Sequence, residues 1–200
     1  MPKKTFFNLS EEKIDRIIKG AKTAFSERKY KDVTIDLIVD YARIPKGSFY
    51  QYFKNKDDLF KYIFRNIGND KKKVLLQSIE KSSDNDFSEM ILYLINQSKN
   101  FETKDEEMIA LKDRFLKECP QGVKSDILNE IMPNTMALFE KIIMIYVDKG
   151  EFRRDLNIKA ATFILTSTIL NIDQYEFDSE KDHGEVFKNI CDTLKNGLTL

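Results

Sequence analysis

Between Thr34 and Lys56 the chain reads TIDLIVDYARIPKGSFYQYFKNK, and no other stretch narrows the choice of fold as much. Ile35, Ile38, Val39 and Ala42 recur at the spacing of one helical face, and Thr34 stands where a hydroxyl can cap that helix. Ala42-Arg43-Ile44 interrupts the pattern. Pro45 fits at or just before the first position of a second helix, where a missing N–H costs little. In that helix Phe49 and Phe53 lie four apart and face a core, while Lys46, Gly47, Tyr50 and Gln51 point elsewhere. Asn55, three residues ahead of Asp58, reads as a capping pair for a third helix. Two short helices joined by a tight turn require helices around them to bury their inner faces.

The remainder supplies those helices. Residues 1–8 read as a short basic arm, and Asn8 or Ser10 can cap a first helix with Ile14, Ile17, Ile18, Ala21 and Phe25 on one face. Helical spacing returns over about 56–82, 90–101, 106–117, 123–149, 158–177 and 186–198. Gly68-Asn69-Asp70 marks a bend, Pro133 a kink or interruption, and Gly150 a C-terminal stop. Sustained period-two runs of β-branched residues are almost absent. The expectation is an all-α chain of about nine helices: a three-helix helix-turn-helix domain followed by a larger helical bundle. The boundary falls at 1–55 and 56–200, with the helix at about 56–82 as the connector.

The formal charge of zero hides an asymmetry. Residues 1–73 hold 18 Lys and Arg against 10 Asp and Glu, and the rest of the chain carries the opposite surplus. Either the first part meets a polyanion and the second does not, or lysine-rich helix faces are simply solvated. The side chains of the central stretch favour the polyanion. A helix admitted to the major groove presents short or flexible donors near its start. Lys46 and Gln51 can reach base edges, and Gly47 allows close backbone approach. Ser48, Tyr50 and Tyr52 offer hydroxyls to phosphates or bases. Thr34 and Lys56 open the flanking helices and can clamp phosphates on either side.

The segments AKTAFSERKY and VTIDLIVDYARIPKGSFYQYFKNKDDLF carry a resemblance to the N-terminal domain of the TetR family of bacterial transcriptional regulators. The run K-G-S-F-Y-x-Y-F-x-N-K-x-x-L is similar to that family's recognition helix and the start of the helix after it. The likeness covers about residues 10–64. Beyond it, helix number and length agree, as does D-K-G-E-F-R-R-D-L ahead of an apolar helix. Three positions depart from the family pattern: Lys29 and Arg43 stand where glycine is usual, and Pro45 where a capping serine is common. A non-glycine residue at positive φ costs roughly 1 kcal/mol or more. At Lys29 and Arg43 either the backbone relaxes or stability is given up, and Arg43 has the further option of reaching the DNA backbone itself.

The resemblance implies that the second part binds a ligand and pairs two copies of the chain. The residues add support. Phe163, Ile164, Leu165, Ile169, Leu170 and Ile172 cover most of the circumference of one helix, which then needs several partners. A two-fold interface through about 158–177 and 186–198 would provide them, as would the core of a monomer. Phe101, Met108, Phe115, Met132, Met136, Phe139 and Tyr146 either line a pocket for an apolar or amphipathic effector or are ordinary core. The expected partners are a double-stranded operator, a second copy and a small effector, and the expected outcome is a repressor released by that effector. The alternative is the same DNA-binding domain without small-molecule control.

An enzyme is not expected. The chain has no phosphate-cradling glycine loop, and His183 is its only histidine. Cys119 and Cys191 have no partner at metal-ligand spacing, so neither metal nor cofactor is expected. MPKKTFF lacks the long apolar run of a signal peptide, and no segment is long and apolar enough to span a membrane. A cytoplasmic protein follows as the expectation.

Overall fold

The computed structural model describes residues 2–170 and 183–198. The regular structure among them is helical: α1 Lys4–Phe7, α2 Glu11–Glu27, α3 Ile35–Ala42, α4 Lys46–Tyr52, α5 Lys56–Lys81, α6 Phe87–Glu102, α7 Glu106–Asp113, α8 Gln121–Asp148, α9 Ile158–Leu170 and α10 His183–Leu198. The count exceeds nine because the basic arm contains α1. Phe6, within that basic arm, is fully buried.

The chain groups into two compact units, Met1–Asp70 with Asn100–Ile131 and Lys71–Lys99 with Met132–Leu200. The first unit buries Ile17, Ala21, Ala24 and Phe25 of α2 against Ile38 and Ala42 of α3, Phe49 and Phe53 around α4, and Leu59, Phe60 and Ile63 of α5. Leu111 and Ile127 join the same core. Gly20 brings α2 against α3. A Cβ at that position would lie 2.5 Å from the Ala42 nitrogen and 2.7 Å from the Tyr41 carbonyl carbon. Aromatic rings fill the remainder: Phe25, Tyr30 and Phe60 meet at 4.7–5.7 Å, and Phe64 stacks on Phe115 at 4.8 Å.

Capping follows the sequence in several places. Thr34 Oγ1 accepts from the Leu37 N–H at 3.2 Å. Asn55 Oδ1 accepts from Asp58 N–H at 2.9 Å, the cap expected there, while the Asp58 carboxylate accepts at 3.3 Å from the N–H of Lys54, one residue ahead of the cap. Ser10 is the N-cap of α2, without a side-chain hydrogen bond. α5 continues as helix through Gly68, whose Cα faces the Ile131 side chain, and α8 continues through Pro133. The segment read as one helix over 106–117 is instead α7 followed by a widened turn at Arg114–Glu118, closed by Cys119 N–H on the Arg114 carbonyl.

The second unit packs Ile79 of α5, Phe87, Met90 and Ile91 of α6, Phe139, Ile142, Ile143 and Tyr146 of α8, Leu165 of α9 and Cys191 of α10. Phe87, Tyr146 and Phe152 form a ring cluster, and Tyr146 donates its hydroxyl to the Asn85 carbonyl at 2.9 Å. α8 ends at Asp148, and Gly150 just beyond it takes φ of 76°. The part of the expected helix at 171–177 lies outside the described residues.

Candidate nucleic-acid interface

The surface is set by α3 and α4. Leaving α3, the chain turns through Arg43 at φ 51°, ψ 53°, the one positive-φ residue other than glycine among those described. Arg43 N–H reaches the Asp40 carbonyl and Ile44 N–H the Val39 carbonyl, both at 3.1 Å. This pair of bonds is the closure that usually places glycine at the left-handed position. Lys29 resolves the other way: at φ −59°, ψ 142° its backbone is relaxed. Pro45 is the N-cap of α4 at φ −62° and supplies no side-chain bond.

Phe49 and Phe53 are fully buried, which turns the other side of α4 outward. Lys46, Gly47, Tyr50 and Gln51 are exposed there, Tyr50 at 45%, and Ser48 is half-buried. Thr34 and Arg43 are exposed on the approaches. Lys46 is held by Asp36 of α3 at 2.7 Å. The hydrogen bond to Asp36 and the carboxylate charge raise the lysine pKa, so it stays cationic. The pair is exposed, so a nucleic-acid phosphate or base can compete for the ammonium.

Two nominated side chains sit elsewhere. Tyr52 is only 5% exposed, with its ring against Phe6 and the Lys13 ammonium 5.7 Å from its centroid. Lys56 directs its ammonium to the carbonyls of Tyr30 and Val33, both at 2.8 Å, and of Lys31 at 3.3 Å. It also sits 5.0 Å from the Tyr30 ring centroid. Its donors therefore close the single turn Tyr30–Asp32 that precedes α3. Beside it the Tyr30 hydroxyl donates to Asp57 at 2.6 Å. Burial first, then that carboxylate, push the phenol pKa well above its ordinary value, so it remains a donor.

The sequence reading missed two contributors. Gly20 sets the spacing of α2 and α3, and a glycine on the apolar face of a long helix is its signal. Lys3 and Thr5 bond the end of α4 from across the chain, which no local pattern announces. The seven residues nominated for a pocket divide between the units: Phe101, Met108 and Phe115 in the first, Met132, Met136, Phe139 and Tyr146 in the second. Among the described residues no group of three or more His, Cys, Asp or Glu could hold a metal, and no helix is long and apolar enough to cross a membrane.

Comparison with known proteins places this geometry. The model of the bacterial regulatory proteins of the TetR family matches residues 17–63, which contain most of α2, all of α3 and α4 and the first turns of α5. The uncharacterized HTH-type transcriptional regulator YhgD of Bacillus subtilis is 36% identical over 34% of this chain and 38% of its own length. The negative transcriptional regulator of the biofilm operon icaADBC, IcaR of Staphylococcus epidermidis, is 27% identical over 69% of this chain and 75% of its own. Among solved structures, FadR from Bacillus subtilis in complex with stearoyl-CoA covers 92% of this chain and 98% of its own at a TM-score of 0.59 and 18% identity, a likeness of fold. The exposed side of α4 thus lies within a helix-turn-helix, residues 17–63, that matches the TetR family of bacterial regulatory proteins, and the chain shares its fold with solved regulators of that family.

Proposed function

We propose that this chain is a cytoplasmic repressor that binds a palindromic operator as a homodimer and leaves it on binding a small apolar or amphipathic effector. The observation that carries the DNA half is the outward face of α4, where Lys46, Gly47, Tyr50 and Gln51 stand exposed on a base of buried phenylalanines. Lys46, Gly47, Tyr50 and Gln51 read bases, and Thr34, Arg43 and Ser48 contact phosphates. Repression is supported by the relative IcaR, described as a negative regulator. Dimerisation is supported by α9, which leaves Phe163 63% and Ile164 49% exposed on the face opposite buried Ala161 and Leu165. An apolar effector is supported by half-buried Met132 and Met136 and by the neighbour FadR, solved with stearoyl-CoA. The effector acts by binding one of two conformations better, which lowers operator affinity by the difference.

One observation favours a regulator without an effector: Phe115 is stacked on Phe64, and Tyr146 is packed between Phe87 and Phe152, as core residues would be. A single selection experiment tests the main reading. Duplexes bound from a random-sequence library should converge on an inverted repeat with half-sites about one helical turn, roughly 34–36 Å, apart. Tyr50→Ala and Gln51→Ala should each weaken binding to that duplex about tenfold or more with the chain still folded. Normal binding by both variants, or selected sequences without two-fold symmetry, would refute the assignment. Acyl-CoA added to the complex distinguishes the two readings of the second part, release favouring the effector and no release over a ligand panel the alternative.

A further inference from the structure

We infer that Lys3, Thr5 and Phe6 form a positioning cap for α4, making a segment outside the matched region 17–63 part of the DNA-reading apparatus. The inference rests on α4 being the helix that reads DNA.

α4 spans Lys46–Tyr52, too short to hold its own helical form in water. Its last four carbonyls lack partners within the helix. The chain leaves it at Phe53 in an extended conformation, φ −128° and ψ 149°, so no left-handed closure supplies them. The Phe49 carbonyl accepts from Phe53 N–H at 2.8 Å. The other three are met from the start of the chain. Tyr50 carbonyl accepts from the Lys3 ammonium at 2.7 Å, Gln51 carbonyl from the Thr5 hydroxyl, and Tyr52 carbonyl from the Lys3 N–H at 2.8 Å. The ammonium also lies at the negative end of the helix dipole, where a cation is favourable. Phe6 anchors the segment: it is fully buried, with ring centroids 4.8 Å from Phe53 and 5.3 Å from Tyr62.

Two of the carbonyls held this way belong to Tyr50 and Gln51, whose side chains form the exposed reading face. The cap therefore fixes the backbone that aims those side chains. A plain phosphate-binding lysine would act differently, by neutralising charge on the DNA, and the two roles separate in salt. A phosphate contact contributes close to one unit to the slope of log affinity against log salt, whereas a positioning bond contributes none.

The test uses the full chain and a duplex recovered from random-sequence DNA by the wild-type protein. Lys3→Met and Thr5→Val should each lower affinity roughly threefold to tenfold at fixed salt and lower the thermal midpoint by only a few degrees, leaving the salt slope unchanged. Lys3→Arg, which keeps a cationic donor, should restore affinity to within about twofold of wild type. Wild-type affinity in both variants, or a slope reduced by about one in Lys3→Met, overturns the cap. Should Lys3→Met fail to fold, Thr5→Val decides alone, since it removes a single exposed hydroxyl. Tyr50→Ala is the control: undiminished affinity there overturns the reading of α4 itself and the cap with it, while a loss there without one in Lys3→Met and Thr5→Val overturns the cap alone.

Discussion

Arg43 and Gly150 close two helices with the same pair of backbone bonds, and the comparison isolates what a side chain costs there. After α8, Gly150 N–H bonds the Val147 carbonyl and Glu151 N–H the Tyr146 carbonyl, with Gly150 at φ 76°. After α3, Arg43 occupies the equivalent place at φ 51°. A β-carbon in this region costs roughly 1–2 kcal/mol, partly offset by the extra freedom glycine has when unfolded. Arg43→Gly should therefore stabilise the chain by about 0.5–1 kcal/mol, raising the thermal midpoint by roughly 2–4 °C, as measured by calorimetry. If the guanidinium touches the DNA backbone as proposed, the same variant will bind DNA more weakly and with a shallower salt slope, so stability and affinity move in opposite directions. The turn itself was legible from the interruption at Ala42-Arg43-Ile44. Whether Lys29 and Arg43 take positive φ was not, because that depends on which carbonyls the neighbouring turns present. At Lys29 the chain enters the Tyr30–Asp32 turn in extended form, and Lys56 from α5 supplies the closing donors. The sequence marked Lys56 as basic and at a helix start. It could not show that three carbonyls had already claimed its ammonium.

Elements are positioned by contacts that tolerate little. The meeting of α2 and α3 depends on Gly20, because an added Cβ would meet backbone atoms of Tyr41 and Ala42 at 2.5–2.8 Å and backbone cannot rotate away. Gly20→Ala should destabilise by about 1–3 kcal/mol although alanine is the better helix former, and thermal melts of the two chains will read the difference. A second joint ties the turn at Arg114–Glu118 to the loop before α3. Glu118 accepts from Tyr30 N–H at 2.9 Å and from Arg114 at 2.5 Å. Burial works against its charge, but those two donors outweigh it and hold its pKa below the ordinary value of 4.5. A depressed acid stabilises the fold above its unfolded pKa and loses that contribution as pH falls through the folded one. Glu118→Gln should thus lower the midpoint at neutral pH by an amount worth at most about 1 kcal/mol, given partial exposure. The gap between the two chains should close as pH falls below about 4.5. A gap independent of pH from 7 to 3 would exclude the charged form as its source. The helix at 106–113 was legible from its period. The widened turn after it was not, since Arg114–Glu118 continues helical spacing while its hydrogen bonds shift by one residue.

At the scale of the molecule, the basic surplus of residues 1–73 favours a polyanionic partner for that part, and α9 bears on assembly. Phe163 and Ile164 present an apolar face that a second copy would cover. On the proposed reading the wild type sediments at micromolar concentration as a particle of about twice 23.5 kDa. Phe163→Glu, which adds charge to an exposed site and leaves Leu165 in the core, should sediment as a monomer and lose operator affinity by more than tenfold. A folded Phe163→Glu chain that stays dimeric would move the interface elsewhere.

Periodicity, turn residues and side-chain chemistry were enough to determine an all-helical chain, a helix-turn-helix at Thr34–Lys56 and the inward course of Phe49 and Phe53. These follow from local rules: a helix repeats every 3.6 residues, and a proline or a broken pattern ends it. Which donors complete that helix-turn-helix was decided only by the tertiary structure. The carbonyls at the end of α4 must find partners, and folding brings Lys3 and Thr5 to them from more than forty residues away in sequence. The stretch contains the exposed face of Lys46, Gly47, Tyr50 and Gln51, but the bonds that hold α4 in place come from outside it, because backbone polar groups left open by a short helix can be satisfied only by whatever the rest of the chain places beside them.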